Sequence, residues 1–315
     1  MILYDTSIKK GQNALVKIPV ANLPSGTEIN LHAHVFRSKQ PGPVMLVVGG
    51  VHGDEINGIE IVRRAIKSKM FNNLSSGSVI AVPLLNVYGF INFSRGLPDG
   101  KDVNRSFPGT KSGSLASRVA YKFTNEILPL ATFSLDFHTG GNSVFNYPQA
   151  RYYDGDEVSA QLAADMNLPF TIQSGLISKS LRKTAHNKGI PVVVFEGGES
   201  LRMDENSINQ GLRSIQNVLV AQEMSTDKPN EKQESRLIVD RYWIRANRSG
   251  LINLYKRSGD YVEKGDILAK ITDPYNTYKS KVIAKKGGYI FGHNNNPVIN
   301  RGDALFHIGT EKLNA

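Results

Sequence analysis

Apolar residues in this chain fall into short runs separated by longer stretches of helical spacing. Four mostly apolar runs, 44–48, 78–85, 132–137 and 191–195, have the length and character of buried parallel strands. Upstream, residues 14–20 and 28–36 are rich in β-formers, with Pro24-Ser25-Gly26 marking a turn between them. Pro41-Gly42-Pro43 punctuates the entry into Val44-Met45-Leu46-Val47-Val48. Between the runs, Ile56, Ile59, Val62 and Ile66 recur with the spacing of one helix face, which predicts an amphipathic helix over 55–69. Further helices are expected near 114–128, 156–166 and 207–224. Strands alternating with helices predict an α/β fold whose sheet is covered on both faces.

The texture changes after residue 225. Residues 223–235 are polar and nearly free of apolar side chains, which places a linker at 226–235 between a domain at 1–225 and a second at 236–315. Beyond it, short β-type runs are separated by Gly in segments such as Ser258-Gly259-Asp260, Lys264-Gly265-Asp266 and Arg301-Gly302-Asp303. The segment 259–268 is weakly echoed by 296–305. Turn signals at this spacing predict a small β-barrel or sandwich.

The net charge of +10 is unevenly placed. Residues 236–315 carry 14 Lys/Arg against 7 Asp/Glu, an excess of +7, whereas the preceding 235 residues hold an excess of only +3. The basic residues are scattered among strands rather than clustered with aromatics, which argues against nucleic acid and for a surface that attracts anionic small molecules. At 315 residues, the chain is long enough for two domains. It has no cysteine, so thiolate metal sites, disulfides and cysteine nucleophiles are excluded. The first ten residues have no apolar leader segment, and nothing approaches the ~18 apolar residues of a membrane span. A cytoplasmic protein is the simplest expectation, with self-association left open.

Candidate chemistry sits where the apolar runs end. Gly49-Gly50-Val51-His52-Gly53-Asp54-Glu55 places a histidine and a carboxylate three residues apart at a strand-to-helix junction, a spacing that can occupy one face of a zinc ion. The later segments Asp102-Val103-Asn104-Arg105, Asp136-Phe137-His138-Thr139-Gly140-Gly141 and Phe195-Glu196-Gly197-Gly198 add a histidine, acids and polar groups. His52, Asn86, His138 and Glu196 all fall at the carboxyl ends of predicted strands, where open α/β sheets bind ligands.

In combination and order, the Gly-Gly-Val-His-Gly-Asp-Glu, Asp-Val-Asn-Arg-Ser-Phe-Pro-Gly and Glu-Gly-Gly segments resemble the succinylglutamate desuccinylase and aspartoacylase family, a deacylase branch of the zinc carboxypeptidase clan. The resemblance spans about residues 10–310. It implies a zinc-carboxypeptidase-like mixed sheet flanked by helices, plus a small C-terminal β-barrel similar to the hammerhead fold of lipoyl and biotinyl carriers, though without their carrier-lysine hairpin. It also implies one zinc ion per chain held by His52, Glu55 and His138, with Asp102 orienting the first histidine. Glu196 matches the family's catalytic glutamate, and Asn104 and Arg105 match its grip on the substrate carboxylate. Arg95, at a spacing to Asn104 that departs slightly from the aspartoacylase pattern, is the candidate for polarising the scissile carbonyl. Arg182 is a further candidate anion contact. Gly197-Gly198 are expected to swing Glu199 toward solvent.

Each position also has a plainer role. His138 could be a core histidine, Glu55 a carboxylate at a helix N-terminus, Asp102 a solvated turn residue and Glu196 half of a buried ion pair. Asn104 and Arg105 could simply brace a loop, and Arg182 could be a surface helix arginine. Taken together, the residues and the resemblance predict a zinc-dependent amidohydrolase acting on an N-acyl amino acid or related small carboxylate. The alternatives are a metallocarboxypeptidase acting on a peptide or peptidoglycan fragment, and a metal-free binding protein.

Overall fold

A computed structural model describes residues 1–311. The N-terminal part contains β1 (Ile2–Leu3), β2 (Thr6–Ser7), β3 (Asn13–Asn22), β4 (Glu28–Arg37), β5 (Val44–Gly49), β6 (Ser78–Val82), β7 (Phe133–Gly140), β8 (Val144–Tyr152), β9 (Phe170–Gln173) and β10 (Val192–Glu199). Its helices are α1 (Ile56–Lys67), α2 (Val87–Ile91), α3 (Leu115–Lys122), α4 (Glu157–Asp165), α5 (Leu181–His186) and α6 (Glu205–Ala221). Strands β11 (Arg236–Arg245), β12 (Gly250–Leu254), β13 (Tyr261–Val262), β14 (Ile267–Thr272), β15 (Lys279–Ile283), β16 (Gly288–Asn294), β17 (Val298–Ile299) and β18 (Ala304–Glu311) complete the chain. Among the described residues, no helix is long and apolar enough to cross a membrane.

The predicted apolar runs form the centre of a mixed twelve-stranded sheet in which β6, β5, β7 and β10 lie side by side and parallel. Alternation along β5 explains the two-sided cover. Leu46 and Val48 join one apolar cluster with β3, β4 and α3, while Met45 and Val47 join another with α1, α4 and α6. Two strands extend beyond their predicted ends. β7 runs through His138 to Gly140 and β10 through Glu196 to Glu199, because their parallel pairing continues past the apolar stretch, with Glu196 opposite His138. The expected helix over 114–128 is α3 followed by a π turn at Phe123–Ile127 and a 3-10 turn at Leu128–Leu130, where Pro129 cannot donate a helical hydrogen bond.

The C-terminal strands do not close a barrel among themselves. β8, β9, β11, β18 and β16 pair in a ring, each bonded to the next and β16 back to β8, so the closed five-stranded barrel takes two strands from before residue 225 and three from after it. Phe170, Ile172, Ile238 and Phe291 form an apolar cluster within these strands. The physical reason is the edge of β9: its backbone groups would be unpaired unless another strand covered them, and β11 does so in parallel through Arg236–Ile238. Strands β12, β14, β15 and β17 form a separate four-stranded sheet. Residues 226–235 have no helix or strand, but Asn167 and Asn217 pin them to the body through bonds to Glu231, Gln233 and Asn230.

The loop carrying His52 rests on a backbone close approach. A Cβ on Gly53 would lie 1.9 Å from the Gly89 carbonyl carbon and 2.1 Å from the Phe90 nitrogen. Neither can yield without moving α2. Gly53→Ala is therefore expected to cost about 1–3 kcal/mol or more of stability in denaturant unfolding. Gly175→Ala, where a Cβ meets nothing within 4 Å, should leave the midpoint nearly unchanged.

Candidate active site

Three side chains converge at the carboxyl ends of the parallel strands. Glu55 is the N-cap of α1, yet its side chain makes no capping bond to the helix backbone. It turns instead between two imidazoles: Oε1 lies 2.7 Å from His52 Nδ1 and Oε2 lies 2.7 Å from His138 Nδ1. The two Nδ1 atoms are 3.3 Å apart, and all three residues are buried. One ligand atom from each falls within 4.8 Å of the others. Two imidazoles and one carboxylate are a donor set suited to zinc that leaves a coordination position open.

The outer face of each ring is held by a second carboxylate. His138 Nε2 is 2.9 Å from Asp136 Oδ2. His52 Nε2 is 3.2 Å from Asp102 Oδ1, close but not well aligned for a hydrogen bond. Such partners fix which nitrogen of a ring faces the centre. Asp102 also caps the turn at Val103–Arg105 by accepting from the Asn104 N–H, and its other oxygen accepts from Arg95 Nε and NH2. Arg95 NH1 reaches Glu55 Oε1 at 3.3 Å.

Electrostatics follow from this crowding. Burial alone would raise the Glu55 carboxyl, but His52 and His138 outweigh it and hold it well below the usual carboxylate range. Burial alone would lower His138; Asp136 and Glu55 reverse this and keep it protonated well above the ordinary histidine value. His52 is raised too, with Glu55 and Asp102 overcoming burial. Asp102 is depressed against its own burial by His52 and Arg95.

The group opens into a cavity of about 550 Å³ that also receives Glu196, Asn104, Arg105, Arg95 and Arg182. The cavity thus receives every metal, catalytic and substrate-binding candidate named from the sequence, while Asp102 stands behind His52. Glu196 Oε2 accepts from Asn146 Nδ2 at 2.9 Å, and Oε1 lies 3.3 Å from Arg151 NH1. Asn104 Oδ1 accepts from the Leu181 N–H at the start of α5, while Arg105 NH1 donates to the Asn104 carbonyl. Arg182 is not a surface helix arginine. It points inward, donating to Ser174 Oγ at 2.9 Å and the Gly175 carbonyl at 2.7 Å.

Two expectations change. Glu199 is buried, not solvated, and accepts from Asn295 Nδ2 at 2.6 Å. Gly198, with φ +81° at a bulge in β10, turns the chain back inward. Asn86 does not line the cavity. It caps α2 by accepting from the Gly89 N–H and braces the Arg95 loop through Nδ2 to the Arg95 carbonyl. Sequence reading quoted Asp136 without giving it a role, and it missed Asn146, Arg151, Arg241, Trp243 and His307. Of these only Asp136 carried a local signal, since residues two apart on a strand share a face with His138.

Fold and donor set together define an α/β protein built around a three-ligand, metal-capable centre. The family model for the succinylglutamate desuccinylase/aspartoacylase catalytic domain matches residues 41–221. The chain belongs to that family. It is 27% identical over 308 residues to N-alpha-acetyl-L-2,4-diaminobutyric acid deacetylase of Halomonas elongata, covering 93% of this chain and 90% of that protein. Its fold matches a succinylglutamate desuccinylase/aspartoacylase from Rhodobacter sphaeroides with a TM-score of 0.84 at 24% identity, over 96% of each chain. It also matches the product-bound ectoine utilization protein EutE (DoeB) of Ruegeria pomeroyi with a TM-score of 0.83 at 22% identity, over 95% of this chain and 94% of that one.

A metal and a proton compete for the same ring nitrogens. Because both histidines are raised, metal uptake should release protons, and affinity should weaken as pH falls through the histidine range. Calorimetric zinc titration in buffers of different ionisation enthalpy measures that release. His52→Ala and His138→Ala should abolish uptake, and Asp136→Asn should weaken it about 10–100-fold.

Proposed function

We propose that this chain is a zinc-dependent amidohydrolase that removes the acyl group from an N-acyl amino acid or a related small carboxylate, with one zinc per chain held by His52, Glu55 and His138. The observation that carries the reading is the meeting of a buried two-histidine, one-carboxylate group with Glu196 in one arginine-lined cavity. The deacetylase named for the Halomonas relative supports the reaction class. The family resemblance supports a zinc-carboxypeptidase-like arrangement of the central sheet. Zinc, when bound, polarises the amide carbonyl and makes water acidic enough to attack near neutral pH.

The remaining chemistry falls to this chain's side chains. Glu196 accepts the proton of the attacking water and returns it to the departing nitrogen. Asn146 and Arg151 fix its carboxylate for both transfers. Arg95 donates to the oxygen on which negative charge develops. Asp102 fixes the base of its guanidinium through Nε and NH2. Arg105 and the Asn104 amide group bind the substrate carboxylate, the arginine offering a planar fork. Asp136 and Asp102 hold the two histidine rings in orientation.

Turnover of N-acyl amino acids should vanish with a chelator and return with zinc. Glu196→Gln keeps the shape and one acceptor oxygen but cannot take a proton. It should retain zinc and lower kcat by ~10²–10⁴-fold, or about 3–5 kcal/mol of barrier. Arg105→Ala should instead raise KM, because it removes binding common to the ground and transition states. Wild-type kcat in Glu196→Gln at full zinc content would remove Glu196 as the base. Hydrolysis of short peptides in preference to every N-acyl amino acid would establish the carboxypeptidase alternative.

A further inference from the structure

The proposed chemistry leaves one buried acid of β10 without a task. Glu199 is 4% exposed, yet its carboxylate is held by a neutral amide, Asn295 Nδ2 at 2.6 Å. Its one cationic neighbour among the described residues, Arg202 Nε at 3.3 Å, belongs to a mostly exposed side chain whose charge water screens. Apolar contacts would join two segments at lower cost than a buried carboxylate does. What the carboxylate adds is direction, because it ties β10 to one particular atom of the chain after β16.

The bond from Asn295 can run only one way. The Ser258 backbone N–H, which can only donate, points at His293 Nδ1 from 3.1 Å. That nitrogen therefore offers its lone pair, and the ring proton sits on Nε2, 3.0 Å from Asn295 Oδ1. With its oxygen accepting from His293, Asn295 must turn its NH2 group toward Glu199. Burial brings His293 down to about 4, so the neutral ring keeps this arrangement near pH 7.

The same residues reach Glu196 by two routes. Along β10, Glu196 and Glu199 are separated by Gly197 and Gly198, where the pairing with β7 and β8 slips register. Two glycines in succession, one with φ +81°, leave backbone torsions that outside contacts must fix. Asn57 Nδ2 holds the bulge by donating to the Gly197 carbonyl at 3.3 Å, and Asn295 holds its far end at Glu199. Across the sheet, Gly292 of β16 pairs opposite Asn146 of β8, the residue whose Nδ2 binds Glu196. A Cβ on Gly292 would stand 3.0 Å from Asn146 Oδ1, so glycine permits this approach. The Asn295 N–H then donates to the Ser143 carbonyl at 2.8 Å, one residue before β8.

We infer that Asn295 is a positioning residue for Glu196, acting through Glu199 and the Gly197-Gly198 bulge, so that the C-terminal segment sets where the base stands. This role rests on the assignment of Glu196 as the base of the deacylase proposed above.

Kinetics and crystallography of the zinc-loaded full chain test it. Asn295→Asp removes the donor and sets a second carboxylate against Glu199. At pH 8, on the N-acyl amino acid that wild type turns over, it should lower kcat about 10–100-fold at full zinc content, with KM within about twofold. Adding Glu199→Gln restores a hydrogen bond with the roles exchanged, the new amide donating to the new carboxylate. The double variant should recover kcat to within about threefold of wild type, a repair that lost packing alone would not show. In crystals, Asn295→Asp should show Glu196 withdrawn from Asn146 Nδ2, and the double variant should show it returned. Thermal melting checks the fold of each variant, and where Asn295→Asp is unfolded, Asn295→Leu carries the same comparison of kcat, KM and crystal structure. Wild-type kcat in a folded variant, a fall in kcat that only tracks lost zinc, or no recovery in a folded double variant overturns the positioning role. A wild type that hydrolyses no N-acyl amino acid overturns the deacylase instead, and the displacement of Glu196 in the crystal then decides the positioning by itself.

Discussion

A carboxylate buried between two imidazoles is the constraint around which this protein is arranged. Glu55 is 2% exposed, and an isolated ion at that depth would be expelled or neutralised. It is tolerated because His52 and His138 stand 2.7 Å from its two oxygens. Those histidines in turn require Asp102 and Asp136 behind them. Each partner comes from a different stretch of chain, so the loop after β5, the strand β7 and the turn at Val103–Arg105 must all reach their final places together. The close packing of Gly53 on Gly89 and the capping of α2 by Asn86 serve the same end.

The sheet converts this local constraint into a cavity. Parallel pairing of β7 with β10 sets Glu196 opposite His138. Antiparallel pairing of β8 with β10 brings Arg151 and Asn146 to the same carboxylate. Closure of the barrel through β9, β11, β18 and β16 then brings Arg241, Trp243 and His307 into the cavity lining. The C-terminal segment therefore shapes the site from within a shared barrel. Its excess of basic residues, diffuse along the sequence, places Arg241 in the lining of that cavity.

A second line of contact ties the same segment to the catalytic strand. Ser258 Oγ lies 2.7 Å from His293 Nδ1, His293 Nε2 lies 3.0 Å from Asn295 Oδ1, and Asn295 Nδ2 donates to Glu199. Burial brings His293 down to about 4, so this chain of bonds stays neutral at the histidine near pH 7. Glu199 stands three residues beyond Glu196 on β10, and its position depends on the bulge at Gly198.

The sequence by itself determined the centre of the sheet and the metal-capable group. Short continuous apolar runs at 44–48 and 191–195 have the length and character of buried strands, and a histidine and a glutamate three residues apart at a strand-to-helix junction meet through local geometry. It also marked Glu196, an acid at the end of an apolar strand. It was silent on β8, where Pro148 and alternating polar residues hide a strand that is formed by pairing on both of its edges. It was equally silent on Arg151, Arg241, Trp243 and His307. Their placement depends on strand register between segments 90 to 160 residues apart along the chain. Register is decided by which edges need covering and which faces need burying, and only the assembled sheet poses those questions. Local spacing could therefore identify where a metal is held, while the tertiary structure alone decided what charge the rest of the cavity presents to a substrate.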